Sequence, residues 1–174
     1  MADDSKMGMR EFDMNPQGAK LSLRAWLRIF SASNLIEREI RSRLQAQFGV
    51  SLARYDFLAQ LHREPEHGMT MGELGECLMV TGGSITGLTD RLEADGLVMR
   101  VPNPNDRRSH VIELTDKGKA AFAEMAKAHE GWLEELFSGL APNALPTLID
   151  QIDLVKAEVR RAIDKHHTKD QKDI

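Results

Sequence analysis

The chain has one cysteine, Cys77, in 174 residues, so no internal disulfide can form, which fits a reducing compartment. No apolar run approaches the roughly 20 residues that span a bilayer, which excludes a transmembrane helix. The N-terminus, MADDSKMGMREFDMNPQGAK, lacks the apolar centre of a signal peptide. A cytoplasmic protein is therefore expected. Positive charge is not in excess either: the formal net charge is −4. That argues against a generally basic coat for nucleic acid, but not against DNA binding, because a local basic patch is what neutralises phosphate. Internal repeats and low-complexity tracts are missing. So are a nucleophile–base pair, a phosphate loop and a metal-ligand cluster, so neither an enzyme nor a cofactor or metal site is expected.

What remains is the composition of one globular domain, 41% hydrophobic and 29% charged. Residues 1–19 are polar, with Pro16 and Gly18, and read as a flexible arm. From Leu21 to about Gln47, Trp26, Ile29, Ser33, Ile36, Ile40 and Leu44 recur at helical spacing, and Gly49 ends the run. Ser51 caps a second helix to about Arg63, with Phe57, Leu58 and Leu61 inward. Thr70 and Glu73 form a capping box that opens a short third helix to about Leu78. Thr81 caps a fourth, to about Ala94, with Gly96 as its stop. Leu97, Met99 and Val101 alternate as in a half-buried strand, Pro102 to Asp106 is a loop, and Val111 to Leu114 returns. Thr115 caps a fifth helix with Phe122, Met125, His129, Trp132 and Leu136 on one face. After a break at Gly139 to Pro142, a last helix carries Leu145, Ile149, Ile152, Val155, Val159 and Ile163, then frays into a polar tail over residues 166–174.

The fold class is thus mainly α with a small β-hairpin wing. A winged helix-turn-helix lobe occupies residues 48–114, and residues 20–47 and 115–165 form dimerisation helices. The apolar stripes of the outer helices are too long for a small monomer to cover, which predicts a homodimer.

The third and fourth helices have the order of a helix-turn-helix. Gly75 is small where the two would cross. At about 100° per residue, Ile85, Leu88 and Leu92 turn inward, and the outward arc holds Gly83, Ser84, Thr86, Gly87, Asp90, Arg91 and Ala94. Small and hydroxylic residues suit a helix lying close to base edges, and Thr81 stands at its phosphate-attracting end. The plainer alternative is a structural helix, in which two early glycines cost roughly 1 kcal/mol each. Asp90 opposes DNA unless it pairs with Arg91 or another cation. Arg100, Arg107, Arg108 and His110 gather around the hairpin tip with Asp106. A carboxylate beside an arginine orders it for the minor groove, so Asp106 orients Arg108. The alternative is a solvated loop whose ion pair contributes little.

The run DRRSHVIELTDKG, residues 106–118, resembles the wing signature of the MarR family of bacterial and archaeal regulators: D-x-R, a short apolar strand, then L-T-x-x-G. The preceding RLEADGLVMRVPNPNDRR, from Arg91, is similar to the family's passage from recognition helix to wing, and the helix order resembles it over about residues 20–165. The resemblance implies a winged-helix homodimer on pseudo-palindromic double-stranded DNA operators, often a repressor released by a small molecule. It implies that Arg108 is the minor-groove residue and Asp106 its partner. One departure is Met79, in the turn where helix-turn-helix proteins commonly have Gly.

The resemblance also implies one of two sensing modes, an aromatic or phenolic anion or an oxidised cysteine. Trp26 and Phe30 offer an aromatic wall and Arg24 or Arg28 a carboxylate anchor; the alternative is that the rings are core or interface and the arginines solvated. Cys77, three residues after Leu74, reads as a buried small hydrophobe. His62 and His67 flank a loop without ligand spacing, and His129 reads as a core or pocket histidine. The competing function is a winged-helix module for protein contacts without selective DNA binding.

Overall fold

The structure, a computed structural model, describes residues 21–64, 67–79, 82–103 and 106–170; the side chains of residues 106–108 and 166–170 lie outside that description. Nine elements follow in order among these residues. They are α1 (Leu21–Phe48), α2 (Leu52–Arg63), β1 (Met69–Thr70), α3 (Met71–Leu78), α4 (Gly82–Ala94), β2 (Val98–Asn103), β3 (Asp106–Leu114), α5 (Asp116–Phe137) and α6 (Ala144–Asp170). The chain divides into two compact units, residues 1–126 and 127–174. The expected arm over residues 1–19 lies outside the described residues.

The core of the first unit is built on α2, whose Phe57, Leu58 and Leu61 are buried, with Leu44 of α1, Leu74 of α3, Leu92 of α4 and Ile112 of β3. Each such side chain contributes roughly 1.5–3 kcal/mol by leaving water. The helix starts follow their caps. Ser51 Oγ accepts from the Arg54 N–H at 3.4 Å. The Thr70 hydroxyl accepts from the Glu73 N–H at 3.2 Å while the Glu73 carboxylate accepts from the Thr70 N–H at 2.8 Å, a complete capping box. These backbone and side-chain bonds from Thr70 hold the Glu73 pKa below the usual carboxylate value.

The wing is larger than a hairpin. Its sheet has three antiparallel strands in the order β1-β3-β2, with Met69 opposite Ile112 and Val98 opposite Leu114. A two-residue strand has no periodicity to read, which is why β1 escapes sequence reasoning. Pro102 sits on β2, an edge strand, where proline is tolerated.

Several expectations need correction. Leu97 is not the first strand residue. Gly96, at φ +71°, and Leu97 close α4, the Gly96 N–H reaching Glu93 O at 2.9 Å and the Leu97 N–H reaching Leu92 O at 2.9 Å. That Schellman closure shifts the strand phase by one. Val98 is buried and Met99 is 42% exposed. On α4, Leu88 is only half-buried, and fully buried Thr89 joins Ile85 and Leu92 inside. Its hydroxyl is satisfied by Ile85 O at 2.9 Å and Met71 Sδ at 3.3 Å, so a threonine is tolerated there. Cys77 is exposed, because the eight-residue α3 turns Leu74 inward and leaves position 77 on the flank. Finally, α6 does not fray at residue 165 but continues through Asp170.

In the second unit, Trp132 and Leu133 are half-buried and Leu136 is exposed, as are Leu148, Ile149, Leu154, Val155, Val159 and Ile163 along α6. His129 is half-buried, and burial lowers its pKa.

Candidate nucleic-acid interface

The second helix of the helix-turn-helix pair is α4. Its N-terminal turn presents Gly82, Gly83, Ser84 and Thr86, all exposed, with Gly87 half-exposed beyond them. A Cβ built at Gly82 or Gly83 would meet nothing within 4 Å, and one at Gly87 only the Arg91 guanidinium at 3.6 Å. The chain's own packing therefore does not require these glycines, although glycine within a helix costs about 1 kcal/mol relative to alanine. Thr86 donates its hydroxyl to Gly82 O at 3.0 Å, which leaves the oxygen lone pairs outward as acceptors. Arg91 Nε donates to Gly87 O at 2.9 Å, laying its guanidinium along the same face. Thr81 lies outside the described residues.

The turn before α4 is held by Met79, which closes α3 at φ 51°, ψ 40°, in the left-handed region. Glycine adopts that conformation without strain, while a side chain costs roughly 1–2 kcal/mol there. Met79 is also 92% exposed, so no burial of its side chain offsets the strain.

The far end of α4 is fastened twice. Arg54 of α2 pairs with Asp95, and Lys117 donates to Asp95 O at 2.7 Å. The L-T-x-x-G run then seats α5 on the same turn. Thr115 donates its hydroxyl to Gly96 O at 2.7 Å and its N–H to Leu97 O at 3.1 Å, and accepts from the Gly118 N–H at 3.0 Å. A Cβ on Gly118 would fall 1.9 Å from Leu97 O, so only glycine fits. Thr115 and Gly118 thus join recognition helix, wing and α5 at one point.

In the wing, Asp106, Arg107 and Arg108 occupy the first positions of β3, with Asp106 opposite Asn103. Their side chains, and so the expected orientation of Arg108 by Asp106, lie outside the described residues. Asn103 Nδ2 donates to Ser109 Oγ at 3.1 Å across the hairpin, and exposed His110 stands opposite Pro102. Arg100 does not join the tip. It turns back onto α4, where it pairs with Asp90 and Glu93; the Asp90 hydrogen bond leads the causes that raise its pKa. Asp90 is thereby provided with the cation it needs. Sequence reasoning missed this pairing because ten residues and a change of element separate the partners.

This arrangement of helix pair, three-stranded wing and long flanking helices has close counterparts. Residues 48–109 match the family model described as MarR family. A MarR family transcriptional regulator from Silicibacter pomeroyi superposes with a TM-score of 0.66 at 30% identity, over 79% of this chain and 94% of that one. The chain belongs to the MarR family of DNA-binding transcriptional regulators. MarR-family Sco3205 from Streptomyces coelicolor, crystallised in complex with DNA, superposes with a TM-score of 0.65 at 25% identity, over 82% of this chain and 91% of that one. The transcriptional activatory protein BadR of Rhodopseudomonas palustris is 31% identical over 116 residues, 65% of this chain and 66% of BadR. Alignments span between 50% and 66% of such curated relatives. Family membership makes this a regulator and not an enzyme.

Outside the lobe, Trp26 and Phe30 are brought together on α1, ring centroids 5.5 Å apart, and both are exposed, as are Arg24 and Arg28. The His62 ring lies against Phe122, centroids 4.7 Å apart and tilted by 40°, while His62 itself stays exposed. Among the described residues no group of three or more His, Cys, Asp or Glu is placed to hold a metal ion, and no helix is long and apolar enough to cross a membrane.

Proposed function

We propose that this chain acts as a homodimer that binds a pseudo-palindromic operator, with α4 in the major groove and the wing in the minor groove. It represses by occupying that operator and leaves it on binding a small aromatic anion. The observation that carries the DNA reading is the run of helical glycines at Gly82, Gly83 and Gly87, which the chain's own packing does not require. On this reading Thr81, Gly83, Ser84, Thr86, Gly87 and Arg91 face bases and phosphates, and Arg107 and Arg108, with Asp106, hold the wing to its groove. That MarR-family Sco3205 was crystallised in complex with DNA supports DNA as the partner.

Homodimerisation is supported by the uncovered apolar residues of the outer helices: Leu21, Trp26, Phe30 and Leu35 on α1, and Leu148, Ile149, Val155, Val159 and Ile163 on α6. Large apolar residues left in water along long helices mark surfaces that pack against a partner. The effector reading rests on the Trp26–Phe30 pair with Arg24 and Arg28 on the same exposed stretch.

The test is capture of genomic fragments by the purified protein, followed by light scattering on the free protein and the complex. The expected result is a dimer and fragments with two half-sites about one helical turn apart. No selective capture would favour the protein-contact module, and a monomer at micromolar concentration would remove the dimer. Benzoate titrated into the complex should release DNA, and Arg24→Ala or Arg28→Ala should blunt that response. If no aromatic acid tried has an effect, Trp26 and Phe30 are interface only.

A further inference from the structure

Arg100 carries the same charge as the wing-tip arginines, but its surroundings give it different work. One terminal nitrogen donates to Asp90 Oδ1 at 2.5 Å and the other to Glu93 Oε2, both carboxylates on the C-terminal half of α4. Its side chain is 32% exposed. Two carboxylates around one guanidinium leave the cluster with a net formal charge of −1, so it offers a phosphate no attraction. A guanidinium holds its donors in a fixed planar fork. Bound to two carboxylates one helical turn apart, the fork fixes both the distance and the rotation of β2 relative to α4.

That constraint matters because of leverage. The covalent path from α4 to β2 is the short Asp95–Leu97 closure, and the strand then runs from Val98 to Asn103. At about 3.3 Å per residue, the tip lies about 17 Å from the closure. A swing of about 10° there would carry the tip about 3 Å, half the roughly 6 Å width of a minor groove. Arg100 braces the hairpin beyond the closure and opposes that swing.

The geometry points to Arg100 as a positioning residue that clamps the wing to the recognition helix through Asp90 and Glu93, without itself contacting DNA. The clamp sets the phase between major-groove and minor-groove reading, and so determines specificity more than affinity for phosphate. It rests on the DNA reading proposed above.

The test compares wild type with Arg100→Ala, Arg100→Lys and the double variant Asp90→Asn, Glu93→Gln. The probes are an operator duplex captured by the wild-type protein and a random duplex of the same length, each titrated over a range of salt. Hydrogen exchange of the Val98–Asn103 segment is followed in the DNA-free proteins. Arg100→Ala should weaken operator binding by about tenfold or more and random-duplex binding by less than about threefold, with the salt slope unchanged. Exchange in the wing should accelerate. Arg100→Lys should fall between, because one ammonium cannot reproduce the fork. The double variant should reproduce Arg100→Ala, although it removes two negative charges that repel DNA. If Arg100 contacts phosphate instead, its loss lowers the salt slope by about one unit, wing exchange is unaltered and the double variant binds more tightly. That pattern overturns the clamp, as does a set of variants indistinguishable from wild type. If the wild type binds no duplex selectively, the DNA reading fails, while the exchange measurement still judges the clamp.

Discussion

Two glycines in α5 invite the same substitution with opposite results. Gly118 lies in the first turn, pressed against the carbonyl of Leu97, where an added methyl would sit 1.9 Å from the oxygen and 2.9 Å from the carbon. Ordinary carbon–oxygen contact is about 3.3 Å, so Gly118→Ala must open the gap by about 1.4 Å. The helix cannot retreat freely, because Thr115 binds Gly96 O and Leu97 O in that same turn. Overpacking of this kind costs about 1–3 kcal/mol, and losing one Thr115 bond about 1 kcal/mol more. Alanine returns about 1 kcal/mol of helix propensity, leaving a net loss of about 1–3 kcal/mol. Gly131 lies further along α5, where a Cβ meets nothing within 4 Å. There Gly131→Ala should stabilise by about 0.5–1 kcal/mol. Urea titrations followed by helical circular dichroism, at one fixed protein concentration, resolve both signs. If Gly118→Ala matches wild type while Gly131→Ala stabilises, then α5 does not seat on Leu97 as described.

Replacing Met79 by glycine relieves roughly 1–2 kcal/mol of left-handed strain and costs about 0.5–1 kcal/mol in unfolded-state entropy, so Met79→Gly should be neutral to about 1.5 kcal/mol stabilising; a clear destabilisation in the same titration contradicts the strain. Asp56 has a pKa raised first by burial and then by Glu37, so its folded form takes up a proton more readily than its unfolded form. Its charge therefore destabilises at neutral pH and is relieved as pH falls into the carboxylate range: Asp56→Asn should raise the melting temperature at pH 7 and lose that advantage in acid, and a loss at pH 7 counts against this. Glu73 has the opposite sign, with a pKa lowered by Thr70, so Glu73→Gln should destabilise at neutral pH, the difference closing as pH falls through the folded-state pKa in thermal melts. Arg108→Ala should weaken operator binding by roughly 1–3 kcal/mol and reduce the salt slope by about one unit; unchanged affinity at fixed salt refutes its wing role.

Caps, stops and stripes were legible because they are local. Ser51, Thr70 and Thr115 each announce a helix start by residue type, and the structure places a bond on each. The same locality explains the misreadings. Leu97 looked like the first member of an alternating strand because nothing in its neighbours reports that its N–H closes α4. Leu88 rather than Thr89 looked inward because the bond partners that satisfy Thr89, Ile85 O and Met71 Sδ, are visible only once the helices pack. Cys77 looked buried because spacing alone does not tell which flank of a short helix is left uncovered. In the candidate site, the exposed small residues of α4 were legible from helical phase, but the destination of Arg100 was not. Four arginines and histidines close together along the wing look equivalent until the fold turns one of them toward the helix.

That redirection bears on how an acidic protein reads DNA. The charged residues of α4 are Asp90, Arg91 and Glu93, a net of −1, and Arg100 brings the helix with its brace to formal neutrality. The recognition helix therefore has no net charge with which to pull itself onto phosphate. On the proposed DNA reading, net positive charge toward the DNA then comes mainly from Arg107 and Arg108 of the wing. The two functions separate physically. On the proposed reading, the wing would supply salt-dependent attraction, and a nearly neutral, glycine-lined helix close contact that is favourable only where base edges fit. A molecule divided in this way gains specificity only if the wing's grip holds the helix at a fixed angle. On the proposed clamp, the Asp90–Arg100–Glu93 cluster is the place where attraction and reading are coupled.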